Sequence, residues 1–435
     1  MTLRNPAAPA PDAAALARAI ETGSFDSRLR ELYAQSEIAG QRARYLSLLR
    51  RFQGLFGPGP VRLVSSPGRT ELGGNHTDHN QGKVLAASIQ LDSIAAVRPQ
   101  AGMGVELHSE GYTDPFKVDL SDLARREEEA GRSEALIRGI AARLVSGGSR
   151  VGGFVGCMAS SVARGSGLSS SASVEILIGS VFNLLFNDGG ISSLALAITG
   201  QYAENNYFGK PCGLMDQIAC STGGIVAIDF LDPLKPEISQ IDVDFTSRGL
   251  SLIVVDTGGS HADLTADYAA IPSEMRAVAS ELGGAVCRDI RRSDLLSALP
   301  AIRAAVGDRA VLRALHFFDE NERVERQAEA LRAARIDDYL AEVRSSGRSS
   351  MELLQNGYPI SASREQGIPL ALALSEPFVR HRGAARVHGG GFAGTIQSYV
   401  PLERVDEYRA LMSRVFGPKA VTRLSVRPRG VVALT

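Results

Sequence analysis

The sequence is poor in cysteine, has almost no net charge and contains no long apolar run. Its four cysteines, Cys157, Cys212, Cys220 and Cys287, form no CxxC pair, and a chain of 435 residues needs no disulfides for stability, so reduced thiols are expected. The formal net charge of −1 argues against broad binding of nucleic acid or of an anionic membrane. No apolar run approaches the roughly 20 residues that span a membrane, and the first residues lack an apolar signal core. These absences predict a cytoplasmic protein.

Length and local pattern predict more than one folded unit. A chain of 435 residues exceeds the usual size of a single core, so two domains are expected. Asp12 is expected to cap a short helix, and a second helix is expected from about residue 28 to 56, where Gly and Pro residues end it. The predicted division is an N-terminal helical extension over 1–58, a domain over 59–240 and a second domain over 241–435.

Hydrophobic periodicity predicts strands and helices in a mixed order, which is typical of an α+β fold and not of a strict βαβ repeat. Strands are predicted at 61–64, 94–97, 105–108, 116–119, 153–158, 225–230, 252–256 and 395–400. Helices are predicted at 135–145, 169–186 and 191–207, and across most of 262–343.

Three Gly-rich segments, at 67–79, 165–172 and 389–394, stand far apart in otherwise ordinary sequence. One such loop alone would mean little, and the last could be a plain tight turn. Three of them suggest one site that is assembled from distant parts. Their composition points to phosphate binding beside a polyhydroxylated ligand.

The middle segment has the composition of a phosphate-binding loop. It lies between a predicted strand and a predicted helix, where glycines admit a ligand close to the backbone and the helix N-terminus favours an anion. No Gly-Lys-Ser/Thr follows, so it is not a Walker loop. A Ser/Gly turn that merely caps the helix is the alternative. The predicted nucleotide-binding residues are Gly165, Ser166, Gly167, Leu168, Ser169, Ser170 and Ser171.

This middle segment resembles the central signature of the GHMP small-molecule kinases, Pro-x-Gly-x-Gly-Leu-Ser-Ser-Ser-Ala. Ala163 stands where that pattern has its proline. The segment 389–394 resembles the third motif of the same family, with Ala393 at a position that is often Gly. The resemblance implies a two-domain GHMP kinase fold with mixed sheets and helices, an active site between the domains, and ATP and Mg²⁺ as cofactors.

The first segment resembles the galactokinase pattern Gly-Arg-x-Asn-Leu-Ile-Gly-Glu-His-x-Asp-Tyr. Arg69, Gly74, His76 and Asp78 fall on its fixed positions. Two further stretches, 204–217 and 316–324, also resemble galactokinase segments. The likeness extends over roughly residues 45–435 and implies a kinase that phosphorylates the C1 hydroxyl of a hexose.

The resemblance implies a role for each matching residue. Asp216 would accept the proton of the C1 hydroxyl, and Arg69 would keep that aspartate ionised and stabilise charge on the transferred phosphoryl group. Simpler structural roles remain open for these positions, such as a helix cap or a surface ion pair. The predicted ligands of Mg²⁺ are Ser171 and Glu204, and the predicted sugar contacts are Asn75, His76, Asp78, the Gly213 backbone and Tyr268.

Four positions in the first segment depart from the galactokinase pattern. Asn75 replaces the Glu that contacts the C6 hydroxyl of the sugar in that family, and Glu71, Gly73 and His79 replace Asn, Ile and Tyr. Galactose is therefore the first expectation. A sugar modified at C6, such as galacturonate, is the alternative, because its carboxylate would no longer face a Glu carboxylate.

Two interpretations outside sugar kinases compete with this one. The stretch 75–79 lacks one ligand of the His-x-His-x-Asp-His zinc cluster, since Gly74 stands at the position of the missing histidine; that interpretation leaves the Gly/Ser loops without a role. A non-catalytic sugar and nucleotide sensor is the other, although the loop 167–172 is complete. In either kinase or sensor form the expected partners are a small-molecule sugar and ATP, and the chain is expected to be a monomer.

Overall fold

The computed structural model describes residues 10–163, 165–259 and 264–435; residues 1–9 of the predicted N-terminal extension lie outside the described part. The strands of the described residues form two separate sheets. Their bounds are β1 Arg62–Gly73, β2 Lys83–Pro99, β3 Gly104–Ser109, β4 Phe116–Asp119, β5 Phe154–Ser160, β6 Ile225–Asp229, β7 Glu237–Ile241, β8 Leu250–Asp256, β9 Ala384–His388, β10 Thr395–Pro401, β11 Val421–Leu424 and β12 Val432–Ala433.

The helices of the described residues lie mostly between and after these strands. Their bounds are α1 Ala13–Glu21, α2 Asp26–Leu29, α3 Ile38–Phe56, α4 Ser133–Ser146, α5 Ser170–Phe186, α6 Ser193–Ala203, α7 Met215–Thr222, α8 Thr265–Glu281, α9 Arg292–Ser297, α10 Leu299–Val306, α11 Asp308–Arg332, α12 Ile336–Ser349, α13 Gly367–Val379 and α14 Val405–Phe416. The α+β expectation is confirmed.

The larger sheet has the strand order β12-β1-β2-β5-β3-β4. β2 is long enough to pair with two strands besides β1. Its second half pairs with β5 and its first half pairs with β6, and β7 pairs in turn with β6. Only β3 and β5 are parallel to one another among the described strands. β12, near the C-terminus, pairs with β1, so the last described residues return to the sheet that β1 begins.

Helices cover both faces of the larger sheet. Successive side chains of a strand point to opposite faces, and β2 shows this directly: Ile94 and Ala96 lie in the core with α3, whereas Ala95 and Val97 lie in the core with α4 and α5. The N-terminal helices therefore form one layer of the fold. Asp12 caps α1 as predicted, with its Oδ1 accepting from the Ala14 N–H at 2.9 Å.

The prediction of one continuous helix over 28–56 was wrong. α2 ends at Leu29 and α3 begins at Ile38. In between, Leu32 and Tyr33 are buried, and the Tyr33 hydroxyl donates to Asp92 Oδ2 at 2.5 Å. The chain leaves the helix here because this tertiary contact with β2 draws Tyr33 toward the sheet.

The smaller sheet, β11-β8-β10-β9, is antiparallel throughout. A shared core of apolar residues from both sheets and from α11 and α12 joins it to the larger one. The division at residues 58 and 240 remains a proposal, because β12 belongs to the larger sheet but follows residue 240. Within the described residues no helix combines the length and the apolar character needed to cross a membrane.

Candidate active site

Arg69 and Asp216 form a two-pronged ion pair where β1 meets α7. Arg69 Nε donates to Asp216 Oδ1 at 2.6 Å, and Arg69 Nη2 donates to Asp216 Oδ2 at 2.7 Å. The Arg69 side chain is 9% exposed and that of Asp216 is 29% exposed. The carboxylate therefore remains open to a ligand, while the arginine that holds it is fixed inside the protein.

The pair keeps Asp216 ionised. Burial raises the pKa of Asp216, but the charge of Arg69 and the hydrogen bonds from Arg69 and Ser169 outweigh it and hold the pKa below the ordinary value of 3.8. The Ser169 hydroxyl donates to Asp216 Oδ2. The sequence-based expectation that these residues form one group is met in geometry, whereas their catalytic roles remain predictions.

The middle Gly-rich segment wraps around the same arginine. Arg69 Nη1 donates to the Gly167 carbonyl, and the Leu168 carbonyl accepts from the Arg69 backbone N–H at 3.1 Å. Gly165 and Gly167 have φ of 72° and 69°, a conformation that favours glycine. Leu168 has a buried side chain, so only its backbone can meet a ligand.

Three serines at the start of α5 lie half-buried beside this segment. Ser169 precedes the helix with a left-handed φ of 60° and makes no side-chain cap, since its hydroxyl bonds to Asp216. The first N–H groups of the 17-residue helix thus have no capping side chain, as an anion-binding helix N-terminus requires.

The first segment continues from β1 into a loop that carries His76 and Asp78, both half-buried. Burial lowers the pKa of His76 to about 4, so its ring is neutral at pH 7. Since Nε2 lies 3.0 Å from the Gly390 carbonyl, that nitrogen carries the hydrogen and Nδ1 is the acceptor. A Cβ on Gly213 would lie 2.0 Å from Asp78 Oδ2, so Gly213 and Asp78 are in close contact.

The third Gly-rich segment, at 389–394, contacts both the loop that carries His76 and helix α8. Tyr268 donates its hydroxyl hydrogen to the Gly391 carbonyl at 3.0 Å, and its ring contacts Phe392 edge to face. Burial raises the pKa of Tyr268 to about 12, so it is a neutral donor. The structure thus brings His76 and Tyr268 to adjacent residues of one turn.

Asn75 lies in the same loop but is fully buried. Its Nδ2 donates to Glu71 Oε1 at 3.1 Å and to the Gly389 carbonyl at 2.6 Å. Its Oδ1 accepts from Asn356 Nδ2 at 2.8 Å. The structure places Asn75 beside the other predicted sugar contacts, with its amide directed at protein groups.

An acidic cluster that the sequence analysis missed in part lies beneath the helix N-terminus. Gln217 Nε2 donates to Glu175 Oε2 at 2.9 Å and to Glu204 Oε2 at 3.2 Å. Glu175 lies one turn after Ser171 on α5, so the two share a helix face. Glu175 is the one charged residue of the largely apolar helix α5, and this alone could have indicated a functional role for it. The apolar pattern around it was interpreted only as a buried helix.

Burial, together with the neighbouring Glu204 carboxylate, raises the pKa of Glu175 well above its ordinary value of 4.5. Glu175 Oε1 and Gln217 Oε1 are buried and have no hydrogen-bond partner. The Lys210 amine lies 3.4 Å from Glu204 Oε1, with its side chain 65% exposed. Among the described residues, including this cluster, no three His, Cys, Asp or Glu side chains lie close enough together to hold a metal ion by themselves.

Comparison with known proteins identifies the family to which this geometry belongs. The family model described as "Galactokinase galactose-binding signature" matches residues 50–99, and the model described as "GHMP kinases N terminal domain" matches residues 135–224. A galactokinase of Streptomyces coelicolor is 32% identical over 362 residues, which cover 82% of this chain and 89% of that protein. The chain belongs to the galactokinase family.

Other relatives agree with this membership. A galactokinase of Chloroflexus aggregans is 30% identical over 375 residues, covering 83% of this chain and 89% of the relative. The solved structure of Lactococcus lactis galactokinase complexed with galactose has a TM-score of 0.75 at 24% identity, covering 88% of this chain and 98% of that one. As a galactokinase-family member with the GHMP kinase fold, the chain is an enzyme of the sugar 1-phosphotransferase class, which leaves no place for the zinc-hydrolase interpretation.

Proposed function

We propose that the chain transfers the terminal phosphoryl group of ATP to the C1 hydroxyl of a hexose, with galactose as the first candidate. The observation that carries the proposal is the carboxylate of Asp216, which Arg69 keeps ionised and which touches the phosphate loop through Ser169. A proton acceptor fixed at the edge of a phosphate site is the arrangement that phosphoryl transfer to a hydroxyl requires.

Asp216 takes the role of general base. The carboxylate is partly exposed, so a sugar hydroxyl held beside it would pass its proton to the carboxylate as the oxygen attacks the terminal phosphorus and ADP leaves. Arg69 serves two purposes, because its guanidinium holds the carboxylate in place and its positive charge stabilises the negative charge of the transferred group. Positioning and charge supply most of the catalysis in such reactions.

His76, Asp78, the Gly213 backbone and Tyr268 are proposed to hold the sugar. Neutral His76 offers Nδ1 as an acceptor, and Asp78 offers carboxylate oxygens for hydroxyl groups. Because Gly213 lies against Asp78 and close in sequence to Asp216, a sugar held by Asp78 would also be near the base. The loop 165–171 is proposed to hold the phosphates of ATP.

The residues beneath α5 fit a Mg²⁺ ion. Magnesium prefers oxygen ligands, usually one or two carboxylates with water and substrate phosphates. Ser171 and Glu204 are proposed to hold it, and the unpartnered oxygens of Glu175 and Gln217 are donors of the right type next to them. When bound, the ion would neutralise charge on the ATP phosphates.

A coupled ADP-release assay with magnesium-ATP tests the proposal against galactose, galacturonate, N-acetylgalactosamine, glucose and arabinose. Turnover on galactose that is lost in Asp216→Asn is the expected result. Galacturonate is included because residue 75 is an uncharged amide and the carboxylate that this amide contacts, Glu71, is paired with Arg386 at 2.5 Å. Sugar binding without turnover on any member would instead favour the sensor interpretation.

A further inference from the structure

The amide of Asn75 has no free hydrogen-bonding group. A primary amide offers two N–H donors and one oxygen acceptor. Both donors are used, on Glu71 Oε1 and on the Gly389 carbonyl, and the oxygen accepts from Asn356 Nδ2 at 2.8 Å and from the Ser350 hydroxyl at 3.4 Å. The residue has 0% exposure. A sugar hydroxyl could bond to this amide only if one of these internal bonds were broken.

The partners of Asn75 come from both halves of the chain. Glu71 is on β1, whereas Gly389 and Asn356 are more than 280 residues later in the sequence. The backbone carbonyl of Asn75 also accepts from His316 Nε2 at 3.0 Å. Asn75 therefore connects the loop that carries His76 to the turn at Gly389. The next residue of that turn, Gly390, accepts a hydrogen bond from His76.

Glu71 is itself fixed, so the tie is rigid. Arg386 Nη2 donates to Glu71 Oε1 at 2.5 Å, and both side chains are fully buried or nearly so. In the galactokinase pattern, position 71 is Asn and position 75 is Glu; in this chain the two residue types are exchanged. The carboxylate thus stands at position 71 on β1 instead of position 75 in the loop, and it is paired with the buried Arg386 of β9.

We propose that Asn75 is a positioning residue and not a sugar contact, and that the site consequently offers no hydrogen bond from residue 75 to the C6 substituent of the sugar. This proposal rests on the proposed function. It names a substrate class for the same site: hexoses of galactose configuration with or without the C6 hydroxyl.

Wild-type protein alone gives the first test. A site built to bond a hydroxyl rejects the analogue that lacks it by about 10⁴-fold in kcat/KM, so galactose is compared with 2-, 3-, 4- and 6-deoxygalactose in the ADP-release assay. We expect 6-deoxygalactose to lie within about tenfold of galactose, while at least one other deoxysugar loses far more. A loss of about 100-fold or more for 6-deoxygalactose, with galactose active, overturns the inference. Inactivity on every hexose overturns the proposed function itself.

The second test pairs a variant with a substrate change. Asn75→Ala should raise the KM of galactose and of 6-deoxygalactose by the same factor, at least about tenfold because the loop loses its tie, with the KM of ATP unchanged. If Asn75 bonded the C6 hydroxyl, the variant would damage only galactose, and the ratio of the two sugars would change. A purely structural role would lower the folded fraction without moving either KM.

Asn356→Ala is the companion variant if Asn75→Ala does not fold. It removes the nearer of two donors to Asn75 Oδ1, since the Ser350 hydroxyl remains at 3.4 Å, and it also removes the bond from Asn356 Nδ2 to the Gly390 carbonyl, but it leaves Asn75 in place. The same equal rise in both sugar KM values is expected, smaller than in Asn75→Ala. An unchanged sugar KM in this folded variant contradicts the positioning role.

Discussion

Replacing Asp216 by Asn removes the carboxylate that Arg69 holds with two hydrogen bonds, at 2.6 and 2.7 Å. An asparagine offers one oxygen where the carboxylate offers two, so one charge-assisted bond is lost and an N–H group faces the arginine or Ser169. Such a bond contributes about 1.5–3 kcal/mol. With 29% of the Asp216 side chain exposed, water replaces part of it, and a loss of stability near the lower end, about 1.5 kcal/mol, is expected.

The effect on catalysis should be far larger than the effect on stability. The amide that replaces the carboxylate in this variant accepts no proton at neutral pH, and a positioned general base contributes about 10²–10⁴-fold to the rate. We therefore expect kcat to fall by at least about 100-fold. The KM values for sugar and for ATP should change much less than kcat, because His76, Asp78 and the backbone of the loop 165–171 remain in place and only the bond from the Ser169 hydroxyl to residue 216 is altered.

Asp26→Asn is the matched control. Asp26 also accepts two hydrogen bonds from one arginine, Arg42, but between α2 and α3 of the N-terminal layer. The same chemical change there should lower the melting temperature without changing kcat. The reasoning is refuted if folded Asp216→Asn, confirmed by its melting curve, keeps kcat within about threefold of the wild type, since a base that contributes about 10²-fold cannot then be Asp216.

Three further predictions use the same assays. Gly213→Ala places a Cβ 2.0 Å from Asp78 Oδ2 and should raise the KM of the sugar about tenfold or more without changing that of ATP; Gly40→Ala, with nothing within 4 Å, is its control. Asp92→Asn leaves the buried Arg427 and the half-buried Arg44 without their shared carboxylate and should lower the free energy of unfolding by about 3–5 kcal/mol in urea denaturation, with kcat per folded molecule unchanged. The melting temperature of Glu175→Gln, measured without magnesium, should rise relative to that of the wild type as pH increases from about 5 to 8. Because the pKa of Glu175 is raised in the folded state, the wild type has its full stability below the unfolded-state pKa and loses stability as pH rises toward the folded-state pKa. A higher melting temperature of the variant only at low pH contradicts this.

Much of the regular structure could be predicted from hydrophobic periodicity, but not the strands that carry the site. The strand predicted at 116–119 and the helices predicted at 135–145 and 169–186 are confirmed by β4, α4 and α5. β1 was predicted only over its first residues, although it runs to Gly73. Its later part is buried yet polar, with Pro67, Gly68 and an irregular register, so no apolar alternation marks it.

Motif spacing and resemblance predicted which residues form the candidate site. They could not predict how deeply each residue is buried or which groups it contacts. Arg69 and Asp216 are 147 residues apart, and only the motifs suggested that they meet. Nothing local to Asn75 indicates that it is buried, because each of its side-chain partners except Glu71 lies at least 275 residues away. Burial and partner choice at such positions depend on tertiary contacts, which a local pattern does not contain.

The buried acids of the described residues differ in how their negative charge is balanced. Those outside the site are each paired with arginine: Asp26 with Arg42, Asp92 with Arg44 and Arg427, Glu129 with Arg138, Glu320 with Arg323, and Glu71 with Arg386. Glu175 and Glu204 instead share one amide of Gln217, and the amine of Lys210 beside Glu204 belongs to a largely exposed side chain. A buried carboxylate without a buried countercharge destabilises the fold, and Glu175 lies one helical turn after Ser171 of the loop 165–171. In the proposed reaction, a cation that arrives with ATP would supply the missing charge, and nucleotide binding would then stabilise the site.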